Sequence, residues 1–312
     1  MLADIVKSYI EGEVCGWAGK EIADEKYKEI GSEFIPSQIS FQTREIPERM
    51  MLFDIEKSVL GKYSETKMQL IGDCVSWGAK HAIEALMCSE ILMLGDREKY
   101  YEVFSPYLYA TGRLWVGKGQ IRGVDGSVGS WQAKAVMDYG TIRTVEQDVP
   151  TYSENIVKKW AVNKKHAEPY LPHGQKHIVK SASKVKNIND LCNMLANGYP
   201  CTVASDVGFT MNQQQDGLHH RQGEWAHQMC FLGYYKGNKC PQHVAVKNSW
   251  GNAHGTVLDY LTGQPWPNGY LRISFEDADY MIKSGGETFA YSNFVGFPEQ
   301  KLDKKLFDLI GD

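Results

Sequence analysis

Apolar residues recur at helical spacing in the first half of the chain. From Cys74 onward they fall at steps of three and four, which predicts a helix that begins at this cysteine and buries one face. A second helix is predicted from about Ser130 to a glycine cap at Gly140, and a third from Ile188 to Asn197. A short amphipathic pattern within residues 5–10 predicts an N-terminal helix, followed by an extended arm.

The second half of the chain contains short β-like runs separated by Gly, Asn and Pro. These runs are Pro200–Val207, Met229–Tyr235, His243–Lys247 and Gly269–Ile273. A polar, lysine-rich segment at 160–186 precedes them, and we interpret it as the connection between two lobes. Helices followed by strands favour an α+β protein of two packed lobes, with the cleft between the lobes as the default ligand site.

The amino-acid composition excludes several classes of protein. The 312 residues are 43% hydrophobic and 23% charged, which is typical of a folded globular chain and excludes disorder and coiled coil. The formal net charge of -4 argues against nucleic acid as the main partner. No apolar stretch approaches the 18 or so residues that span a bilayer, so we expect no membrane segment.

The N-terminal residues and the cysteines indicate in which cellular compartment the protein is located. Residues 1–6 include Asp4 and form neither a basic nor an uninterrupted apolar segment, so we expect no secretory signal. The 7 cysteines are odd in number and irregularly spaced, which is typical of reduced thiols in a chain of this size. We therefore predict a cytoplasmic protein.

Three separated residues carry the candidate chemistry. A thiol is nucleophilic as the thiolate, which a helix N-terminus and a nearby imidazolium both stabilise. Cys74 follows Gly72 and Asp73 at a predicted helix start, and His227 lies where a strand is predicted to begin. Asn248 follows another strand, and its amide could orient the imidazole while Trp250 shields that hydrogen bond from water.

These residues and their flanking motifs resemble the papain-like cysteine peptidases over approximately residues 50–298. His227 lies 153 residues after Cys74 and Asn248 lies 174 after it, somewhat more than the roughly 130 to 150 typical of the family. The resemblance implies two lobes, one helical and one antiparallel and barrel-like, with the active-site cleft between them. The matching segments are 72–74, 105–109, 126–127, 198–203, 247–251 and 268–273.

The resemblance implies a role for each matching residue. Cys74 would be the nucleophile, His227 the general base and acid, and Asn248 the residue that orients it. Gln69, with the Cys74 amide, would stabilise the oxyanion. The residues that would contact the substrate are Gly126, Ser127, Ala226 and Trp250.

The sequence also departs from the family pattern. Gln69 is one residue closer to the cysteine than usual, and Val75 replaces a common tryptophan, which favours a prokaryotic or viral branch. Leu70 and Ile71 occupy the region where a disulfide-forming cysteine is usual, so the family's disulfide in this lobe is not expected. Fewer than seventy residues precede Gln69, so a full inhibitory prosegment is not expected.

We therefore predict a cysteine endopeptidase that hydrolyses polypeptides through a Cys-His-Asn triad and a thioester acyl-enzyme. The alternatives are a peptidoglycan amidase or transglutaminase with the same thiol chemistry, or an inactive binding scaffold. The predicted organisation is an N-terminal arm (1–49), a peptidase domain (50–298, with lobes at about 60–160 and 175–298) and an amphipathic tail helix (299–312). If the protein is viral, the host cytosol or the virus particle would be its location, with particle or host proteins as partners.

No cofactor or metal is predicted. Cys240 and His243, with His219, His220 and His254 nearby, lack the paired spacing of a zinc site. Gly117 and Gly119 do not open a helix in a βαβ unit, so they do not predict a phosphate loop.

Overall fold

The fold was analysed in a computed structural model that describes residues 9–10, 13–36, 46–94, 100–146 and 148–294. The tail helix predicted at 299–312 lies outside these residues. Within them, no helix combines the length and apolar character needed to cross a membrane.

Helices dominate the first half of the chain, as the sequence predicts. They are α1 (Lys20–Ile30), α2 (Leu52–Leu60), α3 (Cys74–Leu94), α4 (Ser105–Ala110), α5 (Gly129–Asp138), α6 (Glu154–Val162), α7 (Leu171–Gly174), α8 (Ile188–Ala196) and α9 (Phe275–Gly285). A π-helical turn at Thr111–Val116 extends α4. The Asn187 side chain caps α8 by accepting a hydrogen bond from the Asp190 amide at 2.9 Å.

Helix α3 is the centre of the molecule. The sequence predicts a helix with one buried face, but α3 is buried on all sides from Cys74 to Ile91, because α2, α4 and the sheet surround it. Its charged residues are therefore paired internally. Lys80 binds Glu84 at 2.6 Å, and the Val103 backbone hydrogen-bonds with both side chains.

Strands form most of the second half. They are β1 (Tyr9–Ile10), β2 (Glu13–Val14), β3 (Ile35–Pro36), β4 (Arg49–Met51), β5 (Val179–Lys184), β6 (Cys201–Phe209), β7 (Arg221–Tyr235), β8 (His243–Lys247), β9 (Tyr270–Ser274) and β10 (Glu287–Phe294). The main sheet has the order β3-β5-β10-β6-β7-β8-β9, and β4 also pairs with β7. All its pairs are antiparallel except β3 with β5.

The α+β fold class predicted from the sequence is confirmed, but two local expectations are wrong. The sheet is open and not barrel-like, because its edge strands β3 and β9 do not pair with each other in the described residues. Tyr9 and Ile10, predicted to be helical, pair as a strand with Glu13–Val14, and the first described helix is α1.

The position of His227 also differs from the prediction. It lies in the middle of β7 and not at the start of a strand, because this strand is 15 residues long and begins at Arg221. The polar stretch from Arg221 to Glu224 is exposed and gives no apolar signal, yet its backbone pairs with β6 at Phe209 and Val207. The His227 backbone is therefore held within a strand, opposite Ser205 of β6 and next to a register shift between Ser205 and Val207.

Candidate active site

The cysteine predicted to be the nucleophile is the first residue of α3 and is fully buried. Its sulfur accepts a hydrogen bond from the backbone N–H of Gln228 at 3.4 Å. Burial raises the pKa of the Cys74 thiol, and the nearby Cys15 and Asp73 side chains raise it further. In this arrangement the thiol is protonated at neutral pH.

His227 is buried beside the sulfur-binding amide of Gln228. Its Nε2 lies 2.7 Å from Asn248 Oδ1, and its ring stacks on Trp250 with centroids 4.5 Å apart. Burial lowers the pKa of His227 to about 4, and the hydrogen bond to Asn248 only partly opposes this effect. The imidazole is therefore neutral, and its Nδ1 has no hydrogen-bond partner within the described chain.

A second histidine fixes the orientation of the asparagine. Asn248 Nδ2 lies 2.7 Å from His254 Nε2, and His254 Nδ1 lies 3.3 Å from the Met211 carbonyl oxygen. The amide Nδ2 can only donate and the carbonyl can only accept, so His254 carries its proton on Nδ1. Asn248 Oδ1 then faces His227 Nε2 as an acceptor. This leaves the lone pair of His227 on Nδ1, the tautomer a general base needs.

Gln69 directs its amide toward a main-chain carbonyl. Its Nε2 donates to the Val14 oxygen at 2.8 Å and to the Ile71 oxygen at 2.9 Å. The Gln69 backbone N–H donates to the Ser249 oxygen at 2.8 Å, and the Ser249 hydroxyl donates to Gln69 Oε1. The side chain is thus held by Ser249 and Ile71, and its amide donates to the peptide oxygen of Val14.

A segment of the N-terminal region, the strap (residues 14–18), covers these residues. The Val14 oxygen accepts from Gln69 and also from Trp250 Nε1 at 3.1 Å. The N–H groups of Gly16 and Trp17 donate to the Ala226 oxygen at 3.1 and 2.9 Å. The strap is therefore bound through its own main chain.

Ser127 binds the other side of the strap. Its N–H donates to the Gly16 oxygen and its oxygen accepts from the Ala18 N–H, both at 2.9 Å, which forms a parallel bridge with Trp17. The N–H and carbonyl oxygen of Gly126 hydrogen-bond with the Tyr109 hydroxyl instead, at 2.7 and 3.2 Å. These bonds hold the backbone that precedes Ser127 in place. The backbone groups here accept an extended peptide.

Seven of the eight predicted site residues thus lie together under or against the strap: Gln69, Cys74, Ser127, Ala226, His227, Asn248 and Trp250. The strap and His254 were missed by the sequence analysis. His254 was considered there only as a zinc ligand, and the strap has no hydrophobic period. A cavity of about 860 Å³ lies beside Phe53 and Trp266 and is lined by none of these seven residues.

The side chains weighed for zinc have other partners. His219 Nδ1 accepts from the Arg272 N–H at 3.1 Å, and His220 binds Asp216 at 2.9 Å. His243 Nδ1 donates to the Pro241 oxygen at 2.7 Å. In the described part of the chain, no three His, Cys, Asp or Glu side chains converge as metal ligands.

Neither protein-family models nor curated proteins match the sequence. Solved structures do match the fold. Xylellain, a cysteine protease from Xylella fastidiosa, is 15% identical with a TM-score of 0.51, over 83% of this chain and 94% of that chain. Procathepsin B S9 from Trypanosoma congolense is 13% identical with a TM-score of 0.53, over 90% of this chain and 98% of that chain.

Digestive procathepsin L 3 from the larval midgut of Tenebrio molitor is 16% identical with a TM-score of 0.52, over 83% of this chain and 73% of that chain. At these identities the likeness concerns the fold alone. The chain therefore has the fold of the papain-like cysteine proteases.

Replacing Gly16 with alanine should expel the strap and expose Cys74. A Cβ at Gly16 would lie 2.1 Å from the Gly72 carbonyl oxygen, a contact that the backbone cannot relieve without moving. We expect iodoacetamide to label Cys74 at least about tenfold faster in Gly16→Ala, as mapped by peptide mass spectrometry. Solvation lowers the thiol pKa and raises the His227 pKa, so the inflection of labelling should move to lower pH.

Glu21→Ala is the matched control, since Glu21 is exposed on α1 and leaves the strap contacts intact. Equal labelling rates for Gly16→Ala and the wild-type chain would contradict the view that the strap shields the thiol.

Proposed function

We propose that the protein is a cysteine endopeptidase in which Cys74, His227 and Asn248 act as a triad. The observation that carries this proposal is the strap itself. A stretch of polypeptide lies extended across Cys74, and its main chain hydrogen-bonds with Gln69, Ser127 and Ala226. A groove with these partners suits an extended polypeptide substrate whose carbonyl lies near the thiol.

The chemistry requires the strap to leave. With the strap in place, burial favours the neutral thiol and the neutral imidazole. Once water and substrate replace it, the burial penalty falls, and the N-terminus of α3 and the imidazolium of His227 stabilise the Cys74 thiolate. Proton transfer from sulfur to His227 Nδ1 then produces the reactive ion pair.

In the acylation step, the thiolate attacks the peptide carbonyl carbon and the carbonyl π electrons move to oxygen. Gln69 Nε2 and the Cys74 backbone N–H stabilise this oxyanion. The carbon–nitrogen bond then breaks, and the imidazolium of His227 gives its proton to the leaving amine. The product is a thioester between the substrate and Cys74.

Deacylation reverses the proton movements. Neutral His227 removes a proton from water, and the resulting hydroxide attacks the thioester carbonyl. The carbon–sulfur bond breaks, which releases the carboxylic acid and restores the thiolate beside the imidazolium. Throughout both steps Asn248 keeps His227 in one ring orientation, and Trp250 covers their hydrogen bond.

Polypeptide is the substrate class favoured over murein or an acyl-acceptor protein. The strap is held almost entirely by main-chain hydrogen bonds, which any extended peptide can reproduce. Gln69, which is one residue closer to Cys74 than is usual in the family, donates to the carbonyl oxygen of Val14 in the strap. Parallel assays on casein and on purified murein separate the peptidase from the amidase.

Cys74→Ala should abolish hydrolysis, because no other group can form the acyl-enzyme. We expect cleavage of casein by Gly16→Ala to fall by at least about a thousandfold in Gly16→Ala/Cys74→Ala, with unchanged circular dichroism. An epoxide that alkylates thiols should label Cys74 in Gly16→Ala faster than in the wild-type chain, as located by peptide mass spectrometry. Casein cleavage that survives Cys74→Ala would refute the proposal.

Asn248→Ala should cause a partial loss, since orientation assists His227 without replacing it. We expect kcat to fall by about ten- to a hundredfold in the Gly16→Ala chain while KM changes little. Asn248→Gln, which keeps the amide but lengthens the side chain, should not restore the rate. An unchanged kcat in Asn248→Ala would remove this residue from the mechanism.

His254→Leu should act through Asn248 by removing the acceptor that holds its amide. The asparagine could then flip and present Nδ2 to His227, which favours the wrong tautomer. We expect kcat to fall several-fold, and the acid limb of the kcat–pH profile to shift. His220→Ala is the control, because this exposed side chain binds Asp216 on the surface, while the contact with Thr210 is made by the His220 backbone N–H and is kept in alanine. An equal loss of kcat in His254→Leu and His220→Ala would indicate a general effect on stability and contradict the positioning role of His254.

A further inference from the structure

We infer that Gln228 is a positioning residue, which holds the thiol of Cys74 against the strand that carries His227 so that a proton can pass between them. This inference rests on the proposed function and deepens it, because it adds to the site a residue whose side chain makes no hydrogen bond with the strap in the described chain. It starts from the way in which the first turn of α3 meets β7.

Gln228 binds two consecutive residues of α3. Its backbone N–H donates to the Cys74 sulfur at 3.4 Å, and its side-chain Nε2 donates to the Val75 carbonyl oxygen at 2.9 Å. We call these two hydrogen bonds the Gln228 clamp. Because they reach neighbouring residues, they fix both the position and the rotation of the first helical turn relative to β7.

The strand that forms the clamp is the strand that holds the base. Gln228 directly follows His227 on β7, and the two residues pair with Ala204 and Ser205 of β6. The pairs between β7 and β8 run from Cys230 to Tyr235, so the ladder between these strands does not require the Gln228 N–H. A movement of α3 away from β7 would therefore separate the thiol from this amide and from the imidazole together.

Close packing supports the clamp. Gln228 is 1% exposed, and Gly78 faces it one helical turn after Cys74. A Cβ on Gly78 would lie 3.0 Å from Gln228 Nε2 and 3.2 Å from the Met229 carbonyl oxygen. Glycine weakens a helix interior, and here its lack of a side chain allows the helix to reach the strand.

The imidazole is held by other residues. Asn248 Oδ1 lies 2.7 Å from His227 Nε2, and the Trp250 ring stacks on the imidazole with centroids 4.5 Å apart. These contacts fix the base, whereas the clamp fixes the sulfur. A thiolate that accepts an N–H donor beside an imidazolium has a lowered pKa, so the position of α3 controls how readily Cys74 ionises.

The titratable groups near Cys74 lie on three elements. Asp73 precedes it in the chain, Cys15 lies on the strap, and His227 lies on β7. Asp73 and Cys15 both raise the pKa of the thiol. Asp73 is kept in every variant used below, and Cys15 leaves with the strap. A difference between these variants therefore reports the contacts with β7.

The test compares two buried glutamines in the full Gly16→Ala chain. Gln228→Met keeps an unbranched side chain and removes the donor to the Val75 oxygen. Gln132→Met is the matched control, because Gln132 is buried on α5 and its side-chain nitrogen and oxygen have no hydrogen-bond partner within the described residues. The rate of iodoacetamide labelling of Cys74 is measured as a function of pH by peptide mass spectrometry.

We expect the inflection of the labelling rate to lie about one pH unit higher in Gln228→Met than in Gly16→Ala. The reason is that α3 can move from β7, so the thiolate loses its amide donor and its imidazolium neighbour. Below both inflections, labelling should be about tenfold slower. Gln132→Met should keep the inflection of Gly16→Ala.

The thermal midpoint separates positioning from a loss of stability. Gln228→Met removes one hydrogen bond and also a buried oxygen that has no partner in the described chain. Its midpoint should therefore change no more than that of Gln132→Met. On casein, kcat should fall by about tenfold in Gln228→Met while KM changes little.

Gly78→Ala provides the same test from the helix side and keeps Gln228 itself. The added methyl group would press on the Gln228 side chain and the Met229 oxygen, so the inflection should again move to higher pH. This variant alone decides the question if Gln228→Met does not fold.

An unshifted inflection in either variant, or an equal shift in Gln132→Met, would overturn the inference. Casein cleavage by Gly16→Ala with Gln228 intact tests the proposed function separately. The expected shifts without any cleavage would refute the endopeptidase and leave the positioning role standing. Cleavage with unshifted inflections would refute the positioning role and leave the endopeptidase standing.

Discussion

The close approach of the first turn of α3 to β7 is the constraint on which the site depends. A Cβ on Gly78 would lie 3.0 to 3.2 Å from the Gln228 side chain and the Met229 carbonyl oxygen, so glycine lets the helix and strand meet there. Gln228 joins the two elements through its Nε2, which donates to the Val75 oxygen at 2.9 Å, and through its backbone N–H on the Cys74 sulfur. The thiol is thereby held beside the residue that follows His227, and no disulfide joins α3 to β7.

In the proposed mechanism, the burial that fixes this geometry also suppresses the ionisation of Cys74 and His227. An enclosed thiol and imidazole are each more stable uncharged, and the strap supplies the enclosure by hydrogen-bonding to the groove. Because the strap is part of the chain, it competes with substrate at a high effective concentration, although each of its hydrogen bonds is individually modest. Under the proposed function, the resting site is a neutral pair, and the reactive ion pair forms when water and substrate replace residues 14–18.

The sequence predicts the parts of the site that belong to regular elements. Cys74 begins a helix of clear apolar pattern, and Asn248 directly follows the strand His243–Lys247, whose predicted bounds match β8. The contacts made by Glu287 and His254 could not be predicted in this way. Trp17 and Glu287 are 270 positions apart, and they meet only because the strap, α5 and β10 converge. Local periodicity carries no information on such distant pairs.

The all-round burial of α3 was missed for a related reason. Its charged residues Lys80 and Glu84 are typical of an exposed helix face, and only the surrounding elements show that they are buried and paired with each other.

The buried side-chain contact between the strap and Glu287 is a single neutral hydrogen bond. A strap that bound Glu287 with a lysine or arginine would place a full charge pair in a buried pocket and would be hard for any substrate to displace. Trp17 instead gives large apolar contact and a single neutral donor, which leaves Gln228 Oε1 without a partner in the described chain. The strap therefore gains little from polar side-chain contacts, and its tether to the chain compensates by keeping it at a high effective concentration in the groove.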